Sequence, residues 1–504
     1  MQGAGAMPTR PRIGRTALLV PLLAVLSPWG CGDEGSGGGD IDDGGGTGGW
    51  GDGSGGGDGM GAPPGGDVGA TPGGAQDIAY ARELIADGQV PPADSISVEG
   101  LLSEHDLPTQ GPPCESLLCS RPALGVLPSI ETGELTYWLH LGMVSGLPAD
   151  RLRPPLDLVV AIDTSDAMSI DMSETTEAVV QLIHKLDSRD RLAVLAFTDR
   201  VRELHPLGPV TDADALEAEV RGLEAGGDWD IEAATRRAYE IAAASPSPDR
   251  LERVMIFSCG YPQVDGSDEF SQQVQAAAAR QVGLSFFGVL LGYDDALGDL
   301  LGVARGGAYY YLSDLERVTE VFDRDFDFMV TPLAYDLSFD LAIAPGFRID
   351  RLYGIPGDEE GVARAGFDVA TAFASRRRGG MVARLSRVDP HETEVGEVSL
   401  SYTPEPALGW TEPEEQSGAI VVPWSDDGPH HDGVGVQKAA LLVNQAEGMI
   451  SACEKFARGD VDGARSILVA LLAIMEPEAD KLDDEAIDAE VALVTRLLAN
   501  MDTP

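Results

Sequence analysis

The residues best placed to do chemistry stand at the end of one apolar stretch. The run Leu156 to Ile162 ends abruptly in a polar turn, Asp163 to Asp166. A run that is apolar on both of its alternating faces is typical of a strand covered on both sides, as in a parallel α/β sheet. Such sheets place functional groups at the carboxyl ends of their strands, which is where Asp163 falls. We therefore expect the chain to be organised around this strand and its turn.

The same stretch resembles a von Willebrand factor A (VWA) domain. That family carries Asp-x-Ser-x-Ser after its first strand, and these side chains hold a divalent metal, the metal-ion-dependent adhesion site. Here the pattern reads Asp163, Ser165 and then Ala167, so the last hydroxyl is missing. The family's second loop, Gly-Gly-Thr, reads Gly-Gly-Asp at residues 226–228. Its third loop, Thr-Asp-Gly, reads Ser-Cys-Gly at residues 258–260.

The resemblance implies a metal site that has lost several of its ligands. Asp163 and Ser165 match the pattern, and Asp228 offers a carboxylate where a hydroxyl is expected. Cys259 offers a soft sulfur where the family has an acid, although Mg²⁺ and Mn²⁺ prefer oxygen ligands. We therefore expect a degenerate site and no cofactor. The alternative is a rescued site, in which Asp163, Ser165 and Asp228 hold Mg²⁺ or Mn²⁺.

The N-terminus predicts export. Basic residues precede the apolar run at residues 17–26, and Gly30 and Cys31 follow it. This order resembles a bacterial lipoprotein signal, in which Cys31 is lipidated and anchors the mature protein to a membrane. Pro28 and Trp29 depart from the usual lipobox, so an ordinary cleaved signal peptide is the alternative. Either signal places the protein outside the cytoplasm, and the lipoprotein signal places it in the cell envelope, facing the periplasm or the cell surface.

Composition excludes one class of partner and suggests one covalent link. The chain has 83 acidic and 35 basic residues and a formal net charge of -48, whereas nucleic-acid binding needs patches of Lys and Arg. Nucleic acid is therefore excluded as a partner. Cys114 and Cys119 lie close together in a Pro-rich loop and are predicted to form a disulfide in an exported protein. A zinc site would need two further ligands, and none is nearby in the sequence.

Composition shifts, periodicity and the family resemblance together divide the chain into segments. These are a signal peptide (1–30), a disordered tether rich in Gly and Asp (31–75), a VWA-associated N-terminal segment (76–155), a VWA domain (156–330), a β-rich C-terminal domain (331–433) and a helical tail with a helix-turn-helix (434–504). Alternating strands and helices in 156–330 predict a mostly parallel, Rossmann-like sheet flanked by helices. The alternating strands of 331–433 predict an antiparallel β domain.

Two sequence segments resemble a narrower family. GQVPPADSISVEG, from Gly88, is similar to a phrase that precedes the VWA domain in a family of bacterial periplasmic lipoproteins. GVLLGYDDALGDLLGVARGGAYYYLSD, from Gly288, resembles the same family more strongly than VWA domains at large. In that family a domain of unknown function follows the VWA domain, at the position of residues 331–433 here.

Together these features predict a cell-envelope lipoprotein that uses a degenerate VWA domain to bind or scaffold protein partners. It is not predicted to be an enzyme, because no nucleophile elbow, phosphate loop or zinc-peptidase helix appears in the sequence. Three alternatives stay open. They are a metal-dependent adhesion protein with a rescued site, an adaptor for an AAA+ ATPase, and a hydrolase of envelope polymers that uses an acidic cluster.

Overall fold

A computed structural model describes residues 68–148, 151–170, 172–244, 246–289, 294–312, 318–356, 364–424 and 428–502. The predicted signal peptide, the predicted lipidation site Cys31 and most of the predicted tether lie outside the described residues. Within them, no helix combines the length and the apolar character that crossing a bilayer requires.

The elements are numbered in chain order. The strands are β1 (Val68–Pro72), β2 (Gly74–Ala75), β3 (Cys119–Pro128), β4 (Leu135–Ser145), β5 (Leu156–Asp163), β6 (Arg191–Phe197), β7 (Val201–Gly208), β8 (Leu251–Ser258), β9 (Gly283–Val289), β10 (Ala308–Leu312), β11 (Pro332–Ile343), β12 (Phe347–Tyr353), β13 (Gly366–Ser375), β14 (Gly380–Arg387), β15 (Glu394–Pro404), β16 (Glu414–Val421) and β17 (His430–His431). The α-helices are α1 (Ala79–Ala86), α2 (Val98–Ser103), α3 (Met172–Lys185), α4 (Ala213–Arg221), α5 (Ile231–Ala242), α6 (Glu269–Ala278), α7 (Asp295–Val303), α8 (Phe326–Met329), α9 (Val434–Ala457), α10 (Val461–Leu482) and α11 (Glu485–Asn500).

The organising strand, β5, lies inside a mostly parallel sheet. The strand order is β2-β10-β9-β8-β5-β6-β7, and β7 runs antiparallel to β6. All eight residues of β5 are buried, because α3 and α4 cover one face of the sheet and α5, α6 and α7 cover the other. The predicted Rossmann-like α/β fold is therefore confirmed.

Strands β1 and β2 correct the predicted tether at its C-terminal end. Residues 68–75 were expected to be disordered, but β1 inserts between β4 and β13, and β2 pairs with β10. Small side chains make this possible, because a Cβ at Gly69 would lie 2.1 Å from the carbonyl oxygen of Arg377. Low aliphatic content suggests disorder, yet it also allows this close approach. As a result β10 is not an edge strand, because β2 pairs with its free side.

An antiparallel sheet joins two segments that are predicted to be separate. Its order is β12-β14-β4-β1-β13-β11-β15-β16, with β3 against β4 and β17 against β3. Strands β3 and β4 come from the segment before the VWA-like region, and β11 to β16 come from the segment after it. The antiparallel sheet is thus not confined to 331–433, and the parallel sheet's segment is inserted between its strands.

Helices α1, α2, α9, α10 and α11 pack together on the antiparallel sheet, around a core that includes Trp138 and Tyr353. The helix-turn-helix predicted in the tail is α9 and α10, which meet at Gly459 with φ of 82°. Asp460 caps α10 by accepting a hydrogen bond from Gly463 N at 3.0 Å. Cys119, the first residue of β3, is joined by a disulfide to Cys114 in the preceding loop.

Candidate functional site at the carboxyl end of the parallel sheet

Two neighbouring strand ends bring the first two site residues together. Asp163 ends β5 and Ser258 ends β8, and these parallel strands pair up to Ile162 and Phe257. Ser258 Oγ donates a hydrogen bond to Asp163 Oδ2 at 2.7 Å. Both side chains are fully buried. Asp163 therefore reaches a neutral hydroxyl from the third loop rather than a carboxylate or a charged group.

The turn after β5 holds the other oxygen of Asp163. The backbone N–H of Ser165 donates to Asp163 Oδ1 at 2.8 Å. Thr164 fixes the turn to the next strand, because its hydroxyl donates to the carbonyl oxygen of Phe197 at 3.0 Å. Ser165 is itself buried, and its hydroxyl has no hydrogen-bond partner among the described residues.

Trp229 reaches the site from the second loop. Its indole Nε1 donates to Ser258 Oγ at 3.3 Å, so the ring N–H points at the pair formed by Ser258 and Asp163. The ring lies against Gly260, where a Cβ would be only 3.0 Å from Trp229 Cε2. A side chain at residue 260 would therefore push the indole away from the site.

Asp166 fastens the first loop to the second. Its Oδ1 accepts from Gly227 N at 3.1 Å, and its own N–H donates to the carbonyl oxygen of Gly227 at 3.0 Å. Gly226 N donates to the carbonyl oxygen of Thr164 at 2.8 Å. Gly227 has a φ of 97°, which favours glycine. The loops are thus held together by hydrogen bonds within the chain.

The Asp163 carboxyl group is buried and has no ion-pair partner among the described residues, and these two facts determine the direction of its pKa shift. Burial raises the pKa of Asp163, and hydrogen bonds from Ser258, Ser165 and Trp229 partly oppose this effect. In the described part of the chain, no Lys or Arg forms an ion pair with Asp163. The carboxyl group is therefore held by neutral donors, which stabilise its charge less than a cation would.

Asp228, the third predicted ligand, lies apart from this buried pair. Its side chain is exposed, whereas Asp163 is fully buried. The next acid along, Asp230, caps α5 by accepting from Ala233 N at 2.8 Å. The structure thus places Asp163 and Ser165 together in the buried turn, while Asp228 faces outward from the loop.

Comparison with known proteins decides the family of this region. Residues 157–324 match the family model of the von Willebrand factor type A domain. This region is a VWA domain. A search of the curated proteins finds no match to the chain.

Several solved structures resemble the chain. They include a von Willebrand factor type A protein from Catenulispora acidiphila, at 15% identity and a TM-score of 0.47, covering 75% of this chain and 89% of that one. The ArnB paralog VWA2 from Sulfolobus acidocaldarius is 15% identical with a TM-score of 0.38, covering 77% of this chain and 98% of that one. Proximal thread matrix protein 1 from the mussel byssus, with a zinc-occupied MIDAS motif, is 14% identical with a TM-score of 0.29, covering 34% of this chain and 47% of that one.

The residues of this VWA domain do not fit a divalent metal at the family's position. One observation favours a cation, namely the buried Ser165 hydroxyl without a partner. Three features oppose it. Ala167 supplies no oxygen, Cys259 is a buried thiol, and the indole N–H of Trp229 points at the oxygens that a metal would need. A hydrogen-bond donor and a cation compete for the same lone pairs, so the donor set present here suits the chain's own groups.

Three residues of the site were not predicted from the sequence. Ser258 was noted only as a departure from the family's third loop, and Asp166 only as part of the polar turn after β5, although both form hydrogen bonds with other loops. Trp229 carried no signal of its own, apart from being an aromatic residue in a ligand-bearing loop. Its role appears only when β8 places Gly260 beside it.

A second buried acidic cluster lies among the helices that cover the antiparallel sheet. Among the described residues, Glu104, His105 and Glu490 are the one group of three metal-ligand side chains within 4.8 Å of one another. Arg82 fills the space that a cation would need, since its Nη2 bonds Glu490 Oε1 at 2.6 Å and also contacts Glu104. His105 Nε2 lies 3.0 Å from Glu490 Oε1. This cluster is an ionic junction between helices.

Proposed function

We propose that this protein is a cell-envelope lipoprotein whose VWA domain binds or scaffolds a protein partner without a metal. VWA domains are generally binding modules, which gives the class of function. The observation that carries the metal-free part is the bonding of Asp163. Both of its oxygens accept hydrogen bonds from neutral donors of the chain, Ser258 Oγ and Ser165 N.

A metal-dependent VWA domain needs an ion with an open coordination position that an acidic residue of the ligand can fill. Here an ion would have to displace Trp229 and break the hydrogen bond between Ser258 and Asp163. It would then have to be held with two of the family's ligands absent, at Ala167 and Cys259. A hard divalent cation takes about six oxygen ligands, so such a site would bind weakly.

The lipoprotein part of the proposal rests on the N-terminal sequence. A basic stretch, an apolar run and Gly30-Cys31 follow the order of a lipoprotein signal, although Pro28 and Trp29 depart from the usual lipobox. The Gly-rich stretch that follows would hold the folded part away from the membrane. A Cys31→Ala variant should move from the membrane fraction to the soluble fraction. Unchanged membrane retention of that variant would contradict lipid attachment at Cys31.

Capture experiments test the metal-free part in the protein's own setting. The full chain, immobilised and exposed to solubilised envelope fractions, should retain the same partner with EDTA and with Mg²⁺. An Asp166→Ala variant, which removes one of the three hydrogen bonds between the first and second loops, should bind that partner less tightly. Loss of the wild-type partner in EDTA would favour a rescued metal site instead.

Restoring the family's ligands offers a second test. The triple variant Ala167→Ser, Asp228→Thr and Cys259→Asp should gain metal affinity only weakly, because Trp229 still donates toward the site. Adding Trp229→Ala should raise that affinity further. Circular dichroism and thermal unfolding verify that each variant is folded, since Cys259 is buried. Equal metal affinity with and without Trp229 would show that the indole does not block the site.

The rescued metal site is the second candidate function, and the unpaired Ser165 hydroxyl is the observation that favours it. The described residues add no observation in favour of the AAA+ adaptor or of the hydrolase.

A further inference from the structure

A recess lies in the part of the molecule built around the antiparallel sheet. Residues 92–99, the end of β12 and α9 enclose a cavity of about 630 Å³. None of its lining residues belongs to the VWA domain. Ligand sites in proteins commonly have volumes of about 300–1,000 Å³, so the recess is large enough for several side chains of a ligand.

The floor of the recess is a preformed polar network. Glu447 Oε1 accepts from the hydroxyl of Tyr353 at 2.9 Å and from Arg351 Nη1 at 3.3 Å. Its other oxygen lies 3.7 Å from Arg384 Nη1. The Arg351 guanidinium lies 5.3 Å from the centre of the Tyr353 ring. These contacts fix the floor before any ligand arrives.

The walls and the rim of the recess differ in character. Apolar side chains form the walls, namely Ile96, Val98, Leu352 and Ile450. Acidic side chains stand among the lining residues nearer the surface, namely Asp94, Glu99 and Glu454. Arg384 also pairs with Glu131, so Glu131 and Glu447 together balance the two arginines at the floor. At the rim, Glu454 forms an exposed ion pair with Arg458 at 3.0 Å. The lining residues themselves include four acids and one arginine, so the charge that a ligand meets is negative.

A second recess continues the first along α9. Its volume is about 350 Å³, and it shares Arg351, Glu447 and Ser451 with the larger recess. Its further lining includes Ile130 and Ile467. Positions 447, 451 and 454 lie on one face of the helix, so the two recesses form a groove that follows α9. This continuity suits an extended ligand with side chains at intervals.

We propose that this groove binds a short basic segment of a protein partner. Lys or Arg side chains of the segment pair with the acids at the rim, and aliphatic side chains between them enter the two recesses. The charge of the rim excludes an acidic segment, and a polyamine has no aliphatic branches to fill the walls. The proposal is independent of the VWA site, so either can fail without the other.

Fluorescence anisotropy with the full chain tests the proposal. The probe is a fluorescein-labelled peptide of alternating leucine and lysine, and its matched control has glutamate in place of lysine. The lysine peptide should bind at least tenfold more tightly than the glutamate peptide. Spermidine measures the contribution of charge alone. Spermidine that binds as tightly as the lysine peptide would overturn the proposal in favour of a polyamine site.

Two variant pairs separate the groove from general attraction to an acidic protein. The double variant Asp94→Lys and Glu454→Lys should lower the affinity for the lysine peptide at least tenfold. Glu476→Lys with Asp488→Lys makes the same charge change at exposed positions outside both recesses and should leave binding within twofold. Equal loss in both double variants would show that binding is not local to the groove.

Shape is tested at Ser451, an exposed residue that lines both recesses. Ser451→Trp should fill the groove and lower the affinity for the lysine peptide at least tenfold. Circular dichroism should show that the variant is still folded. Val469→Trp, at an exposed site outside the lining residues, should leave binding unchanged. Unchanged binding in Ser451→Trp would contradict the proposal.

Discussion

Two buried acids, Asp163 in the VWA domain and Glu490 among the C-terminal helices, are held in opposite ways. Asp163 accepts from neutral donors, and burial raises its pKa. Burial would also raise the pKa of Glu490, but the hydrogen bond to His105 and the charge of Arg82 outweigh it and lower the pKa to about 2. Glu490 is thus a compensated charge, and Asp163 is not.

The difference shows what each region is built for. Glu490 connects helices that are far apart in the chain, since Arg82 lies in α1, Gln445 in α9 and Glu490 in α11. Its ion pairs fix how those helices pack. Asp163 connects only the loops at one end of the parallel sheet. Its neutral partners keep those loops closed where the VWA family holds a metal.

The largest expected effect comes from breaking the compensated charge. Glu490→Gln should lower the free energy of unfolding by about 3 kcal/mol at pH 7, because the variant loses the stabilised carboxylate and leaves Arg82 and His105 without it. Urea unfolding followed by circular dichroism measures this. The exposed Glu476→Gln is the matched control and should change stability by less than about 0.5 kcal/mol. A loss of stability in Glu490→Gln no larger than in Glu476→Gln would contradict the claim that Glu490 stabilises the packing of these helices.

The same pair of proteins gives a pH dependence with a definite sign. The pKa of Glu490 is lowered from 4.5 to about 2, so its contribution is fully present above pH 4.5 and is lost as the pH falls toward 2. The stability difference between the wild type and Glu490→Gln should therefore shrink over that window. Because the wild type and the variant share every other acidic residue, the difference between their unfolding free energies reports on Glu490. A constant difference would rule out the lowered pKa.

A smaller effect is expected at Trp229. Trp229→Phe removes the indole N–H but keeps an aromatic ring against Gly260, so the free energy of unfolding should fall by about 1 kcal/mol. The pKa of Asp163 should rise further, because one of its stabilising donors is gone. Heteronuclear NMR titration of the Asp163 carboxyl carbon follows this change. An unchanged pKa of Asp163 in Trp229→Phe would show that the indole does not act on this carboxyl group.

The smallest effect is expected at Asp163 itself. Its pKa is raised, so its favourable contribution is fully present below pH 3.8 and is lost as the pH rises through the folded-state value. Asp163→Asn stays neutral, and it should therefore gain stability relative to the wild type as the pH rises from 3 to 7. At pH 7 the two should differ by no more than about 1 kcal/mol. Thermal unfolding across this range is the measurement, and a relative loss by the variant would contradict the sign.

The sequence predicts the VWA fold well because strong periodicity carries it. An apolar run marks β5, helical spacing marks α3, and the turn signals place Asp163 at a strand end. Strands β1 and β2 escape prediction, because small residues such as Gly69 look like a flexible linker while they also permit close pairing. The antiparallel sheet is recognised as a type, but its interleaving of β4 with β14 depends on long-range pairing that no local pattern shows.

The candidate site is predicted in outline only. Asp163 and Ser165 follow from the family pattern, whereas Ser258 and Trp229 become partners through the packing of separate loops. The ionic junction is harder still to predict from the sequence, because Arg82 and Glu490 are 408 residues apart in the chain. Nothing near either residue indicates the other.

The central claim is that the VWA domain works without a metal, and isothermal titration calorimetry tests it most directly. The full chain is titrated with Mg²⁺, Mn²⁺ and Ca²⁺, and the Asp163→Ala variant is titrated alongside it. We predict no binding at micromolar concentrations in either protein, because Asp163 is already bonded to Ser258 and Ser165. Micromolar binding to the wild type that disappears in Asp163→Ala would contradict the claim and establish a rescued site.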